Sequence, residues 1–244
     1  MSFRWEEDLR DSFESIASPS LWSTARRVGS VFTLRESTCS DGRADWVWAA
    51  VSCQWPSGLP SWVGALLQQP TCARILACLK SRCPRTEDYL IPRIGVSERT
   101  LRHSVRELLG AGLIEDQGYG RWVLGPNFAV PMIEICSFEF KLENWKRALY
   151  QATRYRTFSH RVYVVMPTAA VTRARDKISM FRSLNVGLIA HDPDGSSCRI
   201  LPARKRQPTS RHRFIGALGM LLDSGRQIPT KSLNDRSARP HSRR

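Results

Sequence analysis

Seven cysteines occur in the 244 residues, yet no two of them form a C-x-x-C pair. Cys39, Cys53, Cys72, Cys78, Cys83, Cys136 and Cys198 are scattered and odd in number, which argues against both a zinc ribbon and a disulfide framework. Reduced thiols in a cytoplasmic protein are the expectation. Long apolar runs are missing too. Nothing approaches the roughly 18 consecutive apolar residues of a membrane span. Residues 1–8 include Glu6, Glu7 and Asp8 where a leader would be basic. Neither membrane insertion nor secretion is expected. Histidine is sparse, and His103, His160, His191, His212 and His241 share no metal-ligand spacing. No internal repeat is visible. Acidic side chains are few, 22 against 37 Lys plus Arg, and the resulting +15 suits a polyanionic partner such as nucleic acid. Residues 199–244 hold 12 basic and 2 acidic side chains, so +10 of the +15 lies there.

What is abundant is material for a core: 42% of the residues are apolar, with 8 Trp and 9 Phe. Residues 3–27 show helical spacing through Trp5, Leu9, Phe13 and Ile16, interrupted at Pro19. Two β-prone runs, 31–34 and 45–51, flank the turn chemistry of residues 40–43 and predict a hairpin. Residues 71–125 then read as helix, short helix, turn, long amphipathic helix and a hairpin around a Gly-rich turn. In the long helix Leu101, Val105, Leu108 and Leu109 form the apolar stripe, Ser97 is the natural N-cap, and Gly110 or Gly112 ends it. Beyond Pro126, strands at 133–142, 162–166, 186–190 and 198–201 alternate with helices at 143–156 and 174–184, the pattern of an α/β sheet. One further helix is expected at 214–222, before a Ser/Arg/Pro-rich end from Gly225 that reads as disordered.

The order of elements between Thr71 and Gly125, and the segment from Ile94 to Ile114 in particular, resemble a winged helix-turn-helix domain. The resemblance implies DNA as a partner, with Arg99, Arg102, His103 and Arg106 on the third helix as the DNA-binding residues. The alternative is a winged helix used for protein contact.

A second constellation carries chemistry. In the strand Ile133-Glu-Ile-Cys-Ser-Phe-Glu-Phe-Lys-Leu142, a period of two puts Glu139 and Lys141 on one face and Phe138 and Phe140 on the other. Upstream, Gly42-Arg-Ala-Asp45 places an acid at the mouth of a hydrophobic strand. Downstream, Gln151 and Tyr155 are four residues apart on one helix face. By itself Glu-x-Lys could be an ion pair on a solvated strand. Taken in order, G-x-x-D, E-x-K and Q-x-x-x-Y resemble the PD-(D/E)XK nuclease superfamily, its RecB-like branch above all.

That resemblance implies a restriction-endonuclease-like α/β fold, a mixed sheet flanked by helices, and metal-dependent hydrolysis of DNA phosphodiesters with Mg²⁺ or Mn²⁺ as cofactor. Asp45, Glu139 and the carbonyl of Phe140 would hold the metal. Lys141 would orient water or stabilise developing charge, and Gln151 and Tyr155 would position the DNA backbone. An acid from the first helix completes the family's site; Glu14 is the first candidate and Glu36 the second. Asp45 and Glu139 are far apart in sequence, whereas the family joins these neighbouring strands by a short hairpin. The implied organisation is a nuclease domain in two pieces, 1–64 and 128–205, interrupted by a winged-helix domain at 65–127 and followed by a basic, partly disordered tail at 206–244. A homodimer is compatible with this family, and no membrane partner is expected. The competing reading is a non-catalytic DNA-binding transcriptional regulator on a degenerate nuclease scaffold.

Overall fold

The computed structural model describes residues 2–16, 19–23, 29–39, 42–51, 62–128, 130, 132–224 and 226–228. The expected continuation of the first helix through 24–27, the turn residues Ser40 and Asp41, and the terminal residues from 229 lie outside them. In chain order, helix α1 (Glu6–Ile16) precedes strands β1 (Ser30–Cys39) and β2 (Gly42–Val51). Helices α2 (Val63–Gln68) and α3 (Pro70–Cys78), the short β3 (Arg85–Thr86), helices α4 (Glu87–Ile94) and α5 (Glu98–Gly110), and strands β4 (Ile114–Asp116) and β5 (Arg121–Leu124) follow. Then come β6 (Ile133–Phe140), α6 (Trp145–Tyr155), β7 (Arg161–Met166), α7 (Thr168–Arg175), α8 (Ile178–Ser183), β8 (Gly187–His191), β9 (Ser197–Leu201), α9 (Arg211–Ser224) and β10 (Arg226–Ile228). The chain divides into two compact units. The first comprises Met1–Gln54, Met132–Thr209 and Arg226–Arg244, the second Trp55–Pro131 and Ser210–Gly225.

Among the described residues the first unit holds a mixed seven-stranded sheet in the order β10-β1-β2-β6-β7-β8-β9. Strands β6, β7 and β8 run parallel, and the remaining pairs are antiparallel. β2 and β6 are hydrogen-bonded neighbours, with Trp46 opposite Phe138 and Val51 opposite Ile133. The chain that carries α2 to β5 therefore departs from one strand and returns to the next.

Alternation along β6 assigns its two faces. Phe138 and Phe140 point to the α1 side, where the Phe13 ring lies between 5.3 and 6.0 Å from the rings of Trp22, Trp46, Phe138 and Phe140. Helix α1 turns Leu9 and Phe13 inward, and its first-turn acids Glu6, Glu7 and Asp8 suit the positive end of the helix dipole. On the other face α6 packs against β2, β6 and β7 through Ala148, Leu149, Ala152 and Tyr155. Its start is fixed by Asn144, whose side-chain oxygen accepts from the Arg147 N–H at 3.0 Å. The single helix expected over 174–184 is two, α7 and α8. Asp176 follows the end of the first, and Lys177, at φ −112°, precedes the second without a side-chain cap.

The second unit has its own core, built from Ile75 and Leu76 of α3, Leu90 and Ile94 of α4, and Leu101, Val105 and Leu108 of α5. Thr86 caps α4 by accepting from the Tyr89 N–H, and Ser97 caps α5 by accepting from the Thr100 N–H. Gly95 ends α4 at φ 72°, a left-handed position that glycine takes without strain. Strands β3, β5 and β4 form a small antiparallel sheet in that order.

The helix expected at 214–222 is present as α9, longer at both ends, and it packs on α2 and α3 inside the second unit. The close approach of α2 and α9 depends on Gly64 and Gly219: a Cβ on Gly219 would fall 2.6 Å from the Gly64 carbonyl oxygen. The stretch 202–209 is also pinned. Arg204 exchanges main-chain hydrogen bonds with the Asn185 side chain at 2.9 and 3.0 Å, and the Arg206 N–H donates to the His160 carbonyl at 3.0 Å. A stretch that composition marks as a solvated basic tail is thus partly ordered by main-chain partners that composition cannot register. Among the described residues no helix is long and apolar enough to cross a membrane.

Candidate active site

The C-terminal end of β6 brings the E-x-K pair to the sheet's end, with α1 on one face and α6 on the other. Continuing the β2–β6 register by one step sets Asp45 opposite Glu139, on the same face of the sheet. Asp45 Oδ2 accepts from the Phe140 N–H at 2.8 Å, which locks the carboxylate against the end of β6. Glu139 is fully buried. Lys141, just past the strand, curls back so that its Nζ donates to Glu6 Oε2 at 2.8 Å and to the Phe140 carbonyl at 2.9 Å. The same ammonium lies 3.1 Å from Glu139 Oε1, an ion-pair contact, and among the described residues no other group donates to that oxygen.

From the α6 side the Tyr155 hydroxyl reaches both Glu139 Oε2 and the Arg43 carbonyl, the latter at 2.7 Å. One hydroxyl proton cannot serve two acceptors. The hydroxyl is placed to donate to either acceptor, and donation to Glu139 favours the ionised carboxylate. Burial, followed by the charge of Asp45, pushes Glu139 up to about 7, against the opposing pull of Lys141 and the Tyr155 hydroxyl. Asp45 is raised as well, by burial first and then by Glu6, while the Phe140 N–H and Lys141 oppose the shift.

A cleft of about 360 Å³ opens beside Asp45 and Phe140, walled by Trp5, Glu6, Arg10 and Arg43. Glu36 also lies on it, held by Arg10 at 3.4 Å and Arg43 at 3.3 Å. Of the two acids expected to complete the site, Glu14 of α1 is bound by Arg35, whose Nε and Nη2 donate to its Oε2 at 3.0 and 2.8 Å, and Glu36 lies on β1. The α1 acid that contacts Lys141 is Glu6. The signal was present in the sequence, because Glu6, Leu9 and Phe13 are spaced by three and four, so Glu6 shares the inward stripe of α1 while Glu14 lies beside it. Gln151 sits one turn before Tyr155 with its Oε1 buried and unpartnered among the described residues.

The expected DNA-facing row on α5 is exposed, but it is not uniformly available. Arg102 is bound by Glu87 at 3.2 Å and is also paired with Glu98, and His103 lies 3.7 Å from Glu107. Arg99 and Arg106 are exposed and pair with no carboxylate among the described residues. Two histidines outside the site have structural partners. His160 Nδ1 accepts from the Ile135 N–H at 3.1 Å, and burial pushes this ring down to about 4, so it is neutral. His191 is buried between the hydroxyls of Ser12 and Ser197 at 2.9 and 2.6 Å.

The Glu139 environment has a measurable consequence in chelator. The folded protein holds the Glu139 proton up to about 7, whereas the unfolded chain releases it near the ordinary 4.5. Between these values the native state binds more protons, so this group's contribution to stability falls as pH rises. Glu139→Gln is expected to leave Tm nearly unchanged at pH 5 and to raise it at pH 8, by a few degrees for an effect on the order of 2 kcal/mol. Thermal melts of both proteins in EDTA decide this, and an equal Tm difference at the two pH values would show that Glu139 titrates normally.

Among the described residues no three His, Cys, Asp or Glu side chains are placed to hold a metal ion by themselves. The cluster does present three carboxylates, Glu6, Asp45 and Glu139, around the single ammonium of Lys141. The chain matches no protein-family profile, no curated protein and no solved structure.

Proposed function

We propose that the chain is a Mg²⁺- or Mn²⁺-dependent DNA nuclease of the PD-(D/E)XK type, with a restriction-endonuclease-like first unit and a winged-helix DNA-binding module as its second. The observation that carries this reading is the charge balance at the end of β6. Buried Glu139, largely buried Asp45 and exposed Glu6 share the Lys141 ammonium, with Arg10 as a further positive charge near Asp45, and burial with like charge has raised both Asp45 and Glu139. A hard divalent cation would offset that like charge. The donors suit it: all are oxygens, Glu139 Oε1 is buried with the Lys141 ammonium as its one polar contact among the described residues, and Mg²⁺ characteristically takes one or two carboxylates and keeps several waters.

Asp45 and Glu139 would hold the ion from neighbouring strands, with the Phe140 carbonyl as a further oxygen. Such an ion supplies hydroxide near neutral pH and screens the phosphate. Lys141 places its ammonium where phosphate oxygens gain charge on the way to the transition state. Glu6 positions that ammonium from α1, and Tyr155 fixes the Glu139 carboxyl from α6. Arg10 and Arg43 line the cleft where a phosphate backbone would lie. The basic balance of the chain and the exposed Arg99 and Arg106 support DNA as the polymer.

A second reading, the non-catalytic regulator, is favoured by one feature: the Lys141 ammonium already sits 3.1 Å from the Glu139 oxygen that a metal would need. The purified full chain, incubated with single-stranded, duplex and branched DNA, separates the two. Cleavage with Mg²⁺ or Mn²⁺ and none in EDTA is expected. Binding without cleavage of any of the three in either metal would establish the regulator.

A further inference from the structure

The hairpin that joins β4 to β5 ends in an aromatic side chain that stands outside the core of its unit. Tyr119 is 95% exposed. Its backbone is left-handed, at φ 55°, between Gly118 at 78° and Gly120 at 64°. A Cβ on either glycine would meet nothing within 4 Å, so the turn's conformation and not crowding calls for glycine there. A bulky aromatic in the middle of such a turn is disfavoured by its own backbone and gains no burial in return.

The turn is nevertheless firmly built. The Gln117 N–H donates to the Arg121 carbonyl at 2.8 Å, and the Gly118 N–H to Asp116 Oδ1 at 2.7 Å. The Arg121 guanidinium lies over the Tyr119 ring, 5.6 Å from its centroid. The ring is thus presented on a defined loop with a cation beside it.

Its surroundings carry both signs of charge: Glu115 and Asp116 precede the tip and Arg121 follows it. Arg121 pairs with Thr86 across β5 and β3, Glu87 follows Thr86, and Glu87 binds Arg102 of α5. This chain of contacts ties the base of the hairpin to the exposed α5 row that carries Arg99 and Arg106. Among the described residues Arg99, Arg106 and Arg121 pair with no carboxylate. Projecting aromatic and free cations together match a polyanion that can offer a flat π-face. A continuous duplex hides its base faces in the stack, whereas an end, a fork or a single strand exposes them.

We propose that the Tyr119–Arg121 tip stacks on an unpaired base, so that the second unit selects DNA carrying a strand end, fork or single-stranded stretch over continuous duplex. This rests on the reading of that unit as a DNA binder. The test is fluorescence anisotropy in EDTA with wild type, Tyr119→Ala and Tyr119→Trp, on a forked duplex and on relaxed closed-circular duplex as competitor. A 2-aminopurine placed at the fork reports stacking directly. Tyr119→Ala is expected to weaken fork binding about five-fold or more, the lower end of what base–aromatic stacking provides. It should change competition by the closed circle less than about two-fold, and it should lose the 2-aminopurine quenching that wild type and Tyr119→Trp retain. Equal losses on the two DNAs, or unchanged quenching, would overturn the stacking role while leaving DNA binding in place. A loss confined to some protein ligand would assign the tip to protein contact. Failure of the wild type to bind either DNA at low salt would instead remove the DNA reading itself.

Discussion

Glu139→Gln is expected to lower the rate of Mg²⁺-dependent DNA cleavage by at least about 10²-fold, while binding in EDTA is unchanged or tighter. Loss of a residue that merely supports a metal ligand already costs about 10- to 100-fold, so loss of a ligand costs more. Glutamine preserves the volume of a fully buried side chain and can still meet the Tyr155 hydroxyl, so the core around β6 should survive. Binding should not suffer, because the substitution removes one negative charge from a cleft that must admit phosphate. Single-turnover cleavage with excess enzyme isolates the chemical step, and anisotropy in EDTA isolates binding. Tyr155→Phe provides the graded comparison: it removes one positioning hydroxyl and should cost clearly less than Glu139→Gln. A Glu139→Gln protein that cuts as fast as wild type would reduce the E-x-K pair to an ordinary structural ion pair.

The parts of this site that could be read in the sequence are those fixed by strand period. Two residues per repeat are enough to put Phe138 and Phe140 against Phe13 and to turn Glu139 toward α6, where a spacing of four delivers Tyr155. The neighbourhood of Asp45 and Glu139 was legible only through motif order, because the pairing of β2 with β6 spans the segment Trp55–Pro131 of the second unit. Periodicity carries no information about such long-range pairing. Glu6 was missed because several acids populate α1, and choosing among them requires knowing which stripe faces the sheet. The partner of Arg102 was not legible for a similar reason: Glu87 lies outside α5, so that ion pair is invisible to helical spacing. The helix over 214–222 was legible from its apolar residues, and Ile215, Leu218 and Leu221 bury α9; its place in the second unit was not legible, because that packing is long-range. Burial of an apolar face outweighs the charge of flanking residues wherever a partner surface exists.

Lys141→Met should also cripple cleavage, by about 10²- to 10³-fold, the usual cost of removing one preorganised positive group at a site of developing charge. Its effect differs from that of Glu139→Gln in a way that identifies the lysine's role. The ammonium holds down the pKa values of both Asp45 and Glu139. Without it those carboxyls keep their protons to higher pH, and metal uptake, which requires them ionised, weakens at neutral pH. Part of the loss is therefore expected to be recoverable by raising pH or Mg²⁺ concentration, and part is not, because no metal concentration replaces a fixed charge beside the phosphate. Cleavage measured from pH 6.5 to 9 at two Mg²⁺ concentrations separates the components. The acidic limb of the profile should move to higher pH in Lys141→Met, with a plateau that stays well below wild type. Glu6→Gln should show a smaller loss and little displacement of that limb, since it frees the ammonium without removing it from the Phe140 carbonyl. If Lys141→Met regained the full wild-type rate at high pH and Mg²⁺, the lysine would serve only to keep its carboxylates ionised, and transition-state stabilisation would have to come from Arg10 or Arg43 on the cleft wall.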